Sequence, residues 1–233
     1  CCYPITCATF MMETSIMRKI YQKEKKAREK LPEDIQKELE KLENNDLSLD
    51  DITIDYEVPE SKAEAPRITS GKILSCLGKN NPFLIGGCAD LSSSTKAYLE
   101  ESGDFSPHNR LGRNIFYGVR EHAMGAISNG LALSGLHPFA STFLTFSDYL
   151  KPAIRLSCLM NLGVTYIFTH DSLSIGEDGP THQPVEQLIA LRSIPNLTVI
   201  RPCDANEIIG AYKYIMSNVT GPTALILSST YPR

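Results

Sequence analysis

The chain reads as an α/β protein, a doubly wound and mostly parallel sheet with helices on both faces, preceded by a short helical arm and linker. Three observations predict it. Short apolar runs alternate with amphipathic helical stretches from about residue 67 onward, the pattern of strands joined by right-handed helical crossovers. Val164, Tyr166, Ile167 and Phe168 form a nearly continuous hydrophobic run after Gly163, as expected of a strand buried on both faces. Where that run ends, a polar loop holds His170, Asp171, Glu177, Asp178 and His182. In open parallel sheets ligands sit beyond the carboxyl ends of the strands, so these five side chains are expected to line a crevice.

The elements follow in order. From about Glu13 to Asn45 the chain is dense in Lys, Arg and Glu, with Ile16, Ile20, Ile35, Leu39 and Leu42 at partly helical spacing. Pro32 divides this stretch into two helices, whose mixed charges fit a solvated face better than a docking surface. Residues 46–66, rich in Asp, Glu, Ser and Pro, read as an extended linker, which places the main domain at residues 67–233. Within it Ile68 to Lys79 is helix-like, and Phe83 to Ile85 is a strand ending at Gly86-Gly87. Ser92 to His108 is a polar connection, and Asn114 to Val119 is a strand leading into a helix that stops near Gly135. Helices are then expected over Tyr149 to Asn161 and Val185 to Arg192, and strands over Thr198 to Ile200 and Thr223 to Leu227. Asp204 with Glu207 three residues on is a capping signal for the helix between those last two strands.

Bulk properties narrow the function. At 233 residues the chain suits one sizeable core with an appendage. No apolar run approaches the ~20 residues of a membrane-spanning helix. A net charge of -4 with no basic patch in the second half leaves no electrostatic footprint for nucleic acid, so the expected ligand is small. Seven cysteines occur without a CxxC pair. Cys76, Cys88, Cys158 and Cys203 lie in apolar or helix-like surroundings, which reads as buried, reduced thiols in a cytoplasmic protein. The chain lacks an initiator Met and stops soon after a strand-like run, which suggests a piece of a longer polypeptide.

No GxGxxG, Walker or GxSxG pattern is present, and the histidines lack zinc-ligand spacing. Glu121 opens a helix in NIFYGVREHAMGA. Its plain explanation is an acidic residue at the positive end of a helix dipole; desolvation among apolar neighbours would also suit it to share a proton with a heterocyclic nitrogen. Phe143, Phe146 and Tyr149, at i, i+3 and i+6, offer an aromatic cradle for such a ring, although that spacing is more often core.

The strings GGCADL, YGVREHAMGAISNGLAL, STFLTFSDYLKPAIRLSCLM, THDSLSIGEDGPTHQPVEQL, LRSIPNLTVIRPCDANE and GPTALILS resemble the central, pyrimidine-binding domain of the transketolase family over Arg67 to about Ser228. The resemblance implies six strands and ketol transfer of two carbons between phosphorylated sugars. It also implies thiamine diphosphate as cofactor. Glu121 would hydrogen-bond its aminopyrimidine and drive the imino tautomer, so that the ring's own nitrogen deprotonates the thiazolium carbon. Phe143, Phe146 and Tyr149 would receive the pyrimidine, and Asp90 would lie near the thiazolium. His182 would work near the exocyclic amine and donor carbonyl, and Asp178 would read the donor's hydroxyl stereochemistry. His170, Arg67 and Ser94 would face the sugar phosphate, where fixed cationic donors make chemical sense.

Two departures stand out. Where the family has an LSRQ-like segment with a phosphate-holding Arg, this chain reads Leu227-Ser228-Ser229-Thr230. Nothing resembles the amino-terminal half that holds the diphosphate through Mg or Ca. The expected partners are therefore the diphosphate-binding half of a transketolase and a second copy in a homo-dimer, and the expected alternative is a non-catalytic assembly module.

Overall fold

The computed structural model describes residues 19, 22–23, 25–43, 54–58, 64–218 and 220–230. Contacts divide the chain into two compact units, Cys1–Asp46 and Leu47–Arg233. In the first, residues 25–28 are helical, the chain turns through Leu31 and Pro32, and α1 spans Glu33–Glu43. Pro32 lacks the amide that would continue the preceding helix, yet it suits the start of the next, and Glu33 and Asp34 favour the positive end of α1. The helical positions before Lys19 and the linker at 44–53 and 59–63 lie outside the described residues.

The second unit carries α2 (Pro66–Asn80), β1 (Leu84–Cys88), α3 (Ser92–Thr95), β2 (Asn114–Phe116), α4 (Glu121–Leu133), β3 (His137–Phe143), α5 (Ser147–Met160), β4 (Thr165–Thr169), α6 (Gln187–Arg192), β5 (Thr198–Ile200), α7 (Ala205–Ser217) and β6 (Thr223–Ile226). All six strands run parallel in the order β2-β1-β3-β4-β6-β5. The order reverses direction between β1 and β3, which opens a crevice where their carboxyl ends diverge.

The continuous apolar strands are sorted by their pleat. Tyr166 and Phe168 of β4, with Ala224 and Ile226 of β6, join a core containing Met124, Leu150, Ile154 and Leu191 from α4, α5 and α6. Ile167 and Leu225, one residue out of phase, join the opposite core with Ile73, Leu74, Leu77, Ile208 and Tyr212 from α2 and α7. Alternate side chains of a strand point to opposite faces, so a strand covered on both sides is apolar throughout. Before α2, Ile54 and Tyr56 pack on this second core, and Glu64 accepts from Tyr56, Thr69 and Lys72.

Several expectations need correction. Gly86 and Gly87 do not end β1: the strand continues through Cys88. A Cβ on Gly86 would lie 1.9 Å from the carbonyl oxygen of Phe139, and one on Gly87 would lie 1.8 Å from that of Ile115, so neighbouring strands exclude any side chain there. Strand β3, the second interior strand of the sheet, was not anticipated between the helix ending near Gly135 and the aromatic stretch. The polar connection after β1 contains the short helix α3 and is tied to β2 by Asn114, whose buried amide bonds the backbone of Leu99 and Gly103. Cys203 is exposed rather than buried, while Cys88 and Cys158 are buried and Cys76 is half-buried; Cys203 lies in the turn that caps α7.

Candidate functional site

Successive strands each deliver one group to the same edge of the sheet. Glu121 follows β2, Asp90 follows β1, Phe143 ends β3, His170 follows β4 and Ser228 follows β6. Asp90 and His170 both adopt left-handed backbone conformations, φ 62° and 57°. Such residues cost about 1 kcal/mol or more and concentrate where geometry serves a site.

The rings form one connected cluster. Phe143 and Phe146 stack at 5.9 Å with planes 8° apart, and Tyr149 lies 6.2 Å from Phe146. Phe143 also meets His170 at 3.8 Å, and His182 sits edge-on to Phe146 at 5.3 Å and to Phe143 at 5.9 Å. The aromatic spacing is not that of one helix. Phe143 ends β3, Phe146 ends a 3-10 turn over Leu144–Phe146, and Tyr149 lies in the first turn of α5. The bend between strand and helix turns the rings toward a common wall, buried at Phe143 and open at Tyr149.

Each histidine is held by the threonine before it. Thr169 Oγ1 shares a hydrogen bond with His170 Nδ1 and Thr181 Oγ1 one with His182 Nδ1, both at 2.8 Å. Burial, and then the Arg67 charge, push the His170 imidazole down to about 4; His182 acts in the same direction, and Asp178 and Asp171 oppose it. His170 is thus neutral at neutral pH, able to donate and to accept.

Arg67 sits at the start of α2 and donates through Nη1 to the Ser94 carbonyl at 2.5 Å, while its amide bonds Ser228 O. It is the Ser94 backbone, not its hydroxyl, that meets the guanidinium. Arg67 Nε is buried without a partner among the described residues. Arg67, Ser94, His170 and Ser228 therefore converge on one corner.

Glu121 is buried, 7% exposed, at the first position of α4, and its carboxylate accepts no hydrogen bond from a described residue. Asp90 is exposed. Among the described residues no hydrogen bond, ion pair or ring contact joins Glu121 or Asp90 to the ring cluster; what they share with it is the carboxyl edge of the sheet.

The polar loop is less uniform than its composition implies. Glu177 and Asp178 are exposed at the end of a 3-10 run, Leu173–Asp178, kinked at Gly176 (φ 70°). Asp171 does not open into the crevice: its carboxylate is 5% exposed and paired with Arg201 at 2.6 Å. Sequence reasoning missed Thr169, Thr181 and Arg201. The first two left a visible signal, a Thr-His dipeptide at each histidine, whereas Arg201 lies 30 residues from its partner and left none. Among the described residues no group of three or more His, Cys, Asp or Glu is placed to hold a metal ion, and no helix is long and apolar enough to cross a membrane.

The family model for the pyrimidine-binding domain of transketolase matches residues 65–231. The chain belongs to the transketolase family. A transketolase of Aquifex aeolicus is 51% identical over 203 residues, which is 86% of this chain and 29% of that protein. One from Bacillus subtilis is 52% identical over 178 residues, 75% of this chain and 27% of that protein. The chain thus spans under a third of the length of these curated relatives. Among solved structures, Pichia stipitis transketolase in complex with sedoheptulose-7-phosphate superposes with a TM-score of 0.86 at 36% identity, covering 97% of this chain and 35% of that one. A split-gene transketolase described as an inactive β4 tetramer gives a TM-score of 0.57 at 31% identity, covering 73% of this chain and 53% of that one. The all-parallel sheet is that of the transketolase pyrimidine-binding domain, and the family implies thiamine diphosphate.

Proposed function

We propose that residues 67–233 supply the pyrimidine side of a transketolase active site that transfers a two-carbon ketol unit between phosphorylated sugars in the cytoplasm, within the pentose phosphate pathway. The observation that carries this reading is Glu121, a residue 7% exposed whose carboxylate accepts no hydrogen bond from a described residue, at the same sheet edge as a stacked aromatic wall. Such a carboxylate needs a protonated or hydrogen-bonding ligand, and an aminopyrimidine between rings fits both features.

When bound, thiamine diphosphate supplies the carbon nucleophile and the electron sink for carbon–carbon cleavage. Glu121 would hold and share a proton with a pyrimidine nitrogen, and Phe143, Phe146 and Tyr149 would orient the ring and exclude water. Asp90 would stand beside the cofactor at the end of β1. His182, fixed by Thr181, would serve proton transfer at the donor carbonyl, and Asp178 would bind donor hydroxyls. Arg67, His170 and Ser94 would hold the sugar phosphate; Arg67 supplies the fixed cation, and Ser229 supplies none. The diphosphate and its Mg or Ca would be held by a diphosphate-binding half outside this chain, across a homo-dimer or an equivalent assembly.

Complementation tests the reading. The purified chain alone is expected to show no ketol transfer. Mixing it with a matching diphosphate-binding half, thiamine diphosphate and magnesium is expected to restore transfer, and Glu121→Ala to abolish it by at least about a hundredfold, the usual scale of a lost acid–base group. Appreciable turnover from the chain alone, or an active Glu121→Ala mixture, would refute it. The second reading, a non-catalytic assembly module, draws on Ser229 and on the inactive tetramer of the split-gene relative. It predicts complex formation without activity in the unsubstituted mixture. Exposed apolar side chains on α4 and α5, Ile127, Leu133, Leu156 and Leu159, offer surface for self-association in either case.

A further inference from the structure

His170 is a non-glycine residue in a left-handed conformation, φ 57°, with its ring 3.8 Å from Phe143. A conformation of this kind persists where the surrounding structure over-determines it, and here the chain on both sides of His170 is restrained. Upstream the restraint is plain: Thr169 ends β4 and bonds the imidazole through Oγ1 at 2.8 Å. Downstream the chain has left the sheet. The first residue there is Asp171, whose carboxylate Oδ2 accepts from Arg201 Nε at 2.8 Å and from Nη2 at 2.6 Å.

Arg201 comes from a distant place in the fold. It directly follows β5, the edge strand, and β6 lies between β5 and β4, so its guanidinium spans the end of a strand to reach Asp171. The carboxylate is 5% exposed and the guanidinium 42%. A carboxylate this deeply buried demands its counter-ion, and the planar fork of arginine fixes direction as well as charge. Lysine would supply the charge without the fork. The pair therefore restrains the chain one residue beyond His170, as β4 restrains it one residue before.

We propose that Arg201, acting through Asp171, is a positioning residue that keeps His170 in its left-handed conformation against Phe143. The inference deepens the assignment of His170 to the sugar-phosphate corner and rests on it only for its catalytic consequence. The groups that face the imidazole are Arg67 from α2, Thr169 and Phe143 from the sheet, and Asp171, Asp178 and His182 from the loops. Breaking the fork removes the downstream restraint, frees His170 from the Phe143 ring and leaves Asp171 as an unpaired carboxylate next to the imidazole.

The test is proton NMR of the His170 ring in the full chain, which requires neither partner nor cofactor. In the unsubstituted protein the Phe143 ring current is expected to displace the imidazole carbon-bound protons. Arg201→Met is expected to return these signals toward free-histidine positions and to raise the His170 titration midpoint by about one pH unit or more. Arg201→Lys should fall between the two, and core signals from Ile167 and Leu225 should stay in place. Should Arg201→Met fail to fold, Asp171→Asn keeps the side-chain shape while weakening the fork, and is expected to displace the same ring signals in the same direction. Ring signals unchanged in the folded Arg201→Met or Asp171→Asn protein would overturn the proposal. Kinetics of the reconstituted enzyme decide the underlying assignment separately. If His170 serves the phosphate corner, Arg201→Met raises KM for a phosphorylated donor about tenfold and changes kcat less. An unchanged KM together with displaced ring signals would sink the corner assignment and leave the positioning role supported.

Discussion

His170 concentrates the physics of the site. Its midpoint near 4 lies below its ordinary value of 6.5, so the folded state resists protonation while the unfolded chain accepts it. Stability from this residue is therefore complete above about pH 6.5 and is lost as pH falls toward 4. His137, lowered by burial and bonded through Nδ1 to the Asn81 amide, loses stability in the same direction. Denaturant unfolding at several pH values checks this. His170→Gln is expected to reduce the slope of stability against pH between 4 and 6.5 by up to about 1.4 kcal/mol per pH unit, the weight of one proton. An unchanged slope would contradict the burial of a neutral imidazole. The candidate site was legible at residues whose chemistry is local. His170 and His182 stood out as titratable groups in a loop after an apolar run, and each carries its threonine beside it. Arg201 was not legible, because an ion pair across a sheet is a relation between two elements whose adjacency no local pattern encodes.

At the scale of elements, β3 shows how a strand can evade recognition. His137-Pro138 opens it and Ser141-Thr142 sit near its end. A proline argues against an interior strand and the hydroxyls against an apolar one. Pro138 is tolerated at the second position of the strand, where it pairs with Ile85. Ser141 and Thr142 are buried with no side-chain partner among the described residues. The glycines of β1 mislead for the converse reason, since they mark close approach of strands rather than a turn. Gly86→Ala is expected to destabilise the protein by about 2 kcal/mol or more, because its new carbon would lie against the Phe139 carbonyl and the strands must part. Thermal or chemical unfolding measures it, and a loss below about 0.5 kcal/mol would show that the sheet yields more easily than a close-packed interior should. By contrast α7 was legible at both levels. Asp204 Oδ1 accepts from Glu207 N at 2.9 Å, and Glu207 answers by accepting from Cys203 N at 2.7 Å, a capping exchange written in consecutive residues.

For the molecule as a whole, the family match begins at residue 65, yet Ile54 and Tyr56 pack on the second core and Glu64 gathers three donors. This strap covers α2 and belongs energetically to the sheet domain. A chain starting at residue 54 is expected to match the full protein in the stability of its sheet domain. One starting at residue 66 should lose about 2 kcal/mol from the apolar surface it uncovers. Equal unfolding midpoints for the two truncations would show the strap to be dispensable.

The class of fold, the alternation of strands and helices, the run that becomes β4 and the family were all legible in the amino-acid order, because these rest on local periodicity and on long contiguous motifs. The same order also singled out His170 and His182, which the structure brings together around Phe143. It took the packing of elements to show that Phe143, Phe146 and Tyr149 form a wall by bending from strand to helix, that Asp171 faces Arg201 rather than a ligand, and that Glu121 is 7% exposed with a carboxylate that accepts no hydrogen bond from a described residue. Each of these depends on which strand ends lie side by side, and the order β2-β1-β3-β4-β6-β5 is set by packing two helical layers on one sheet, a property no single segment carries.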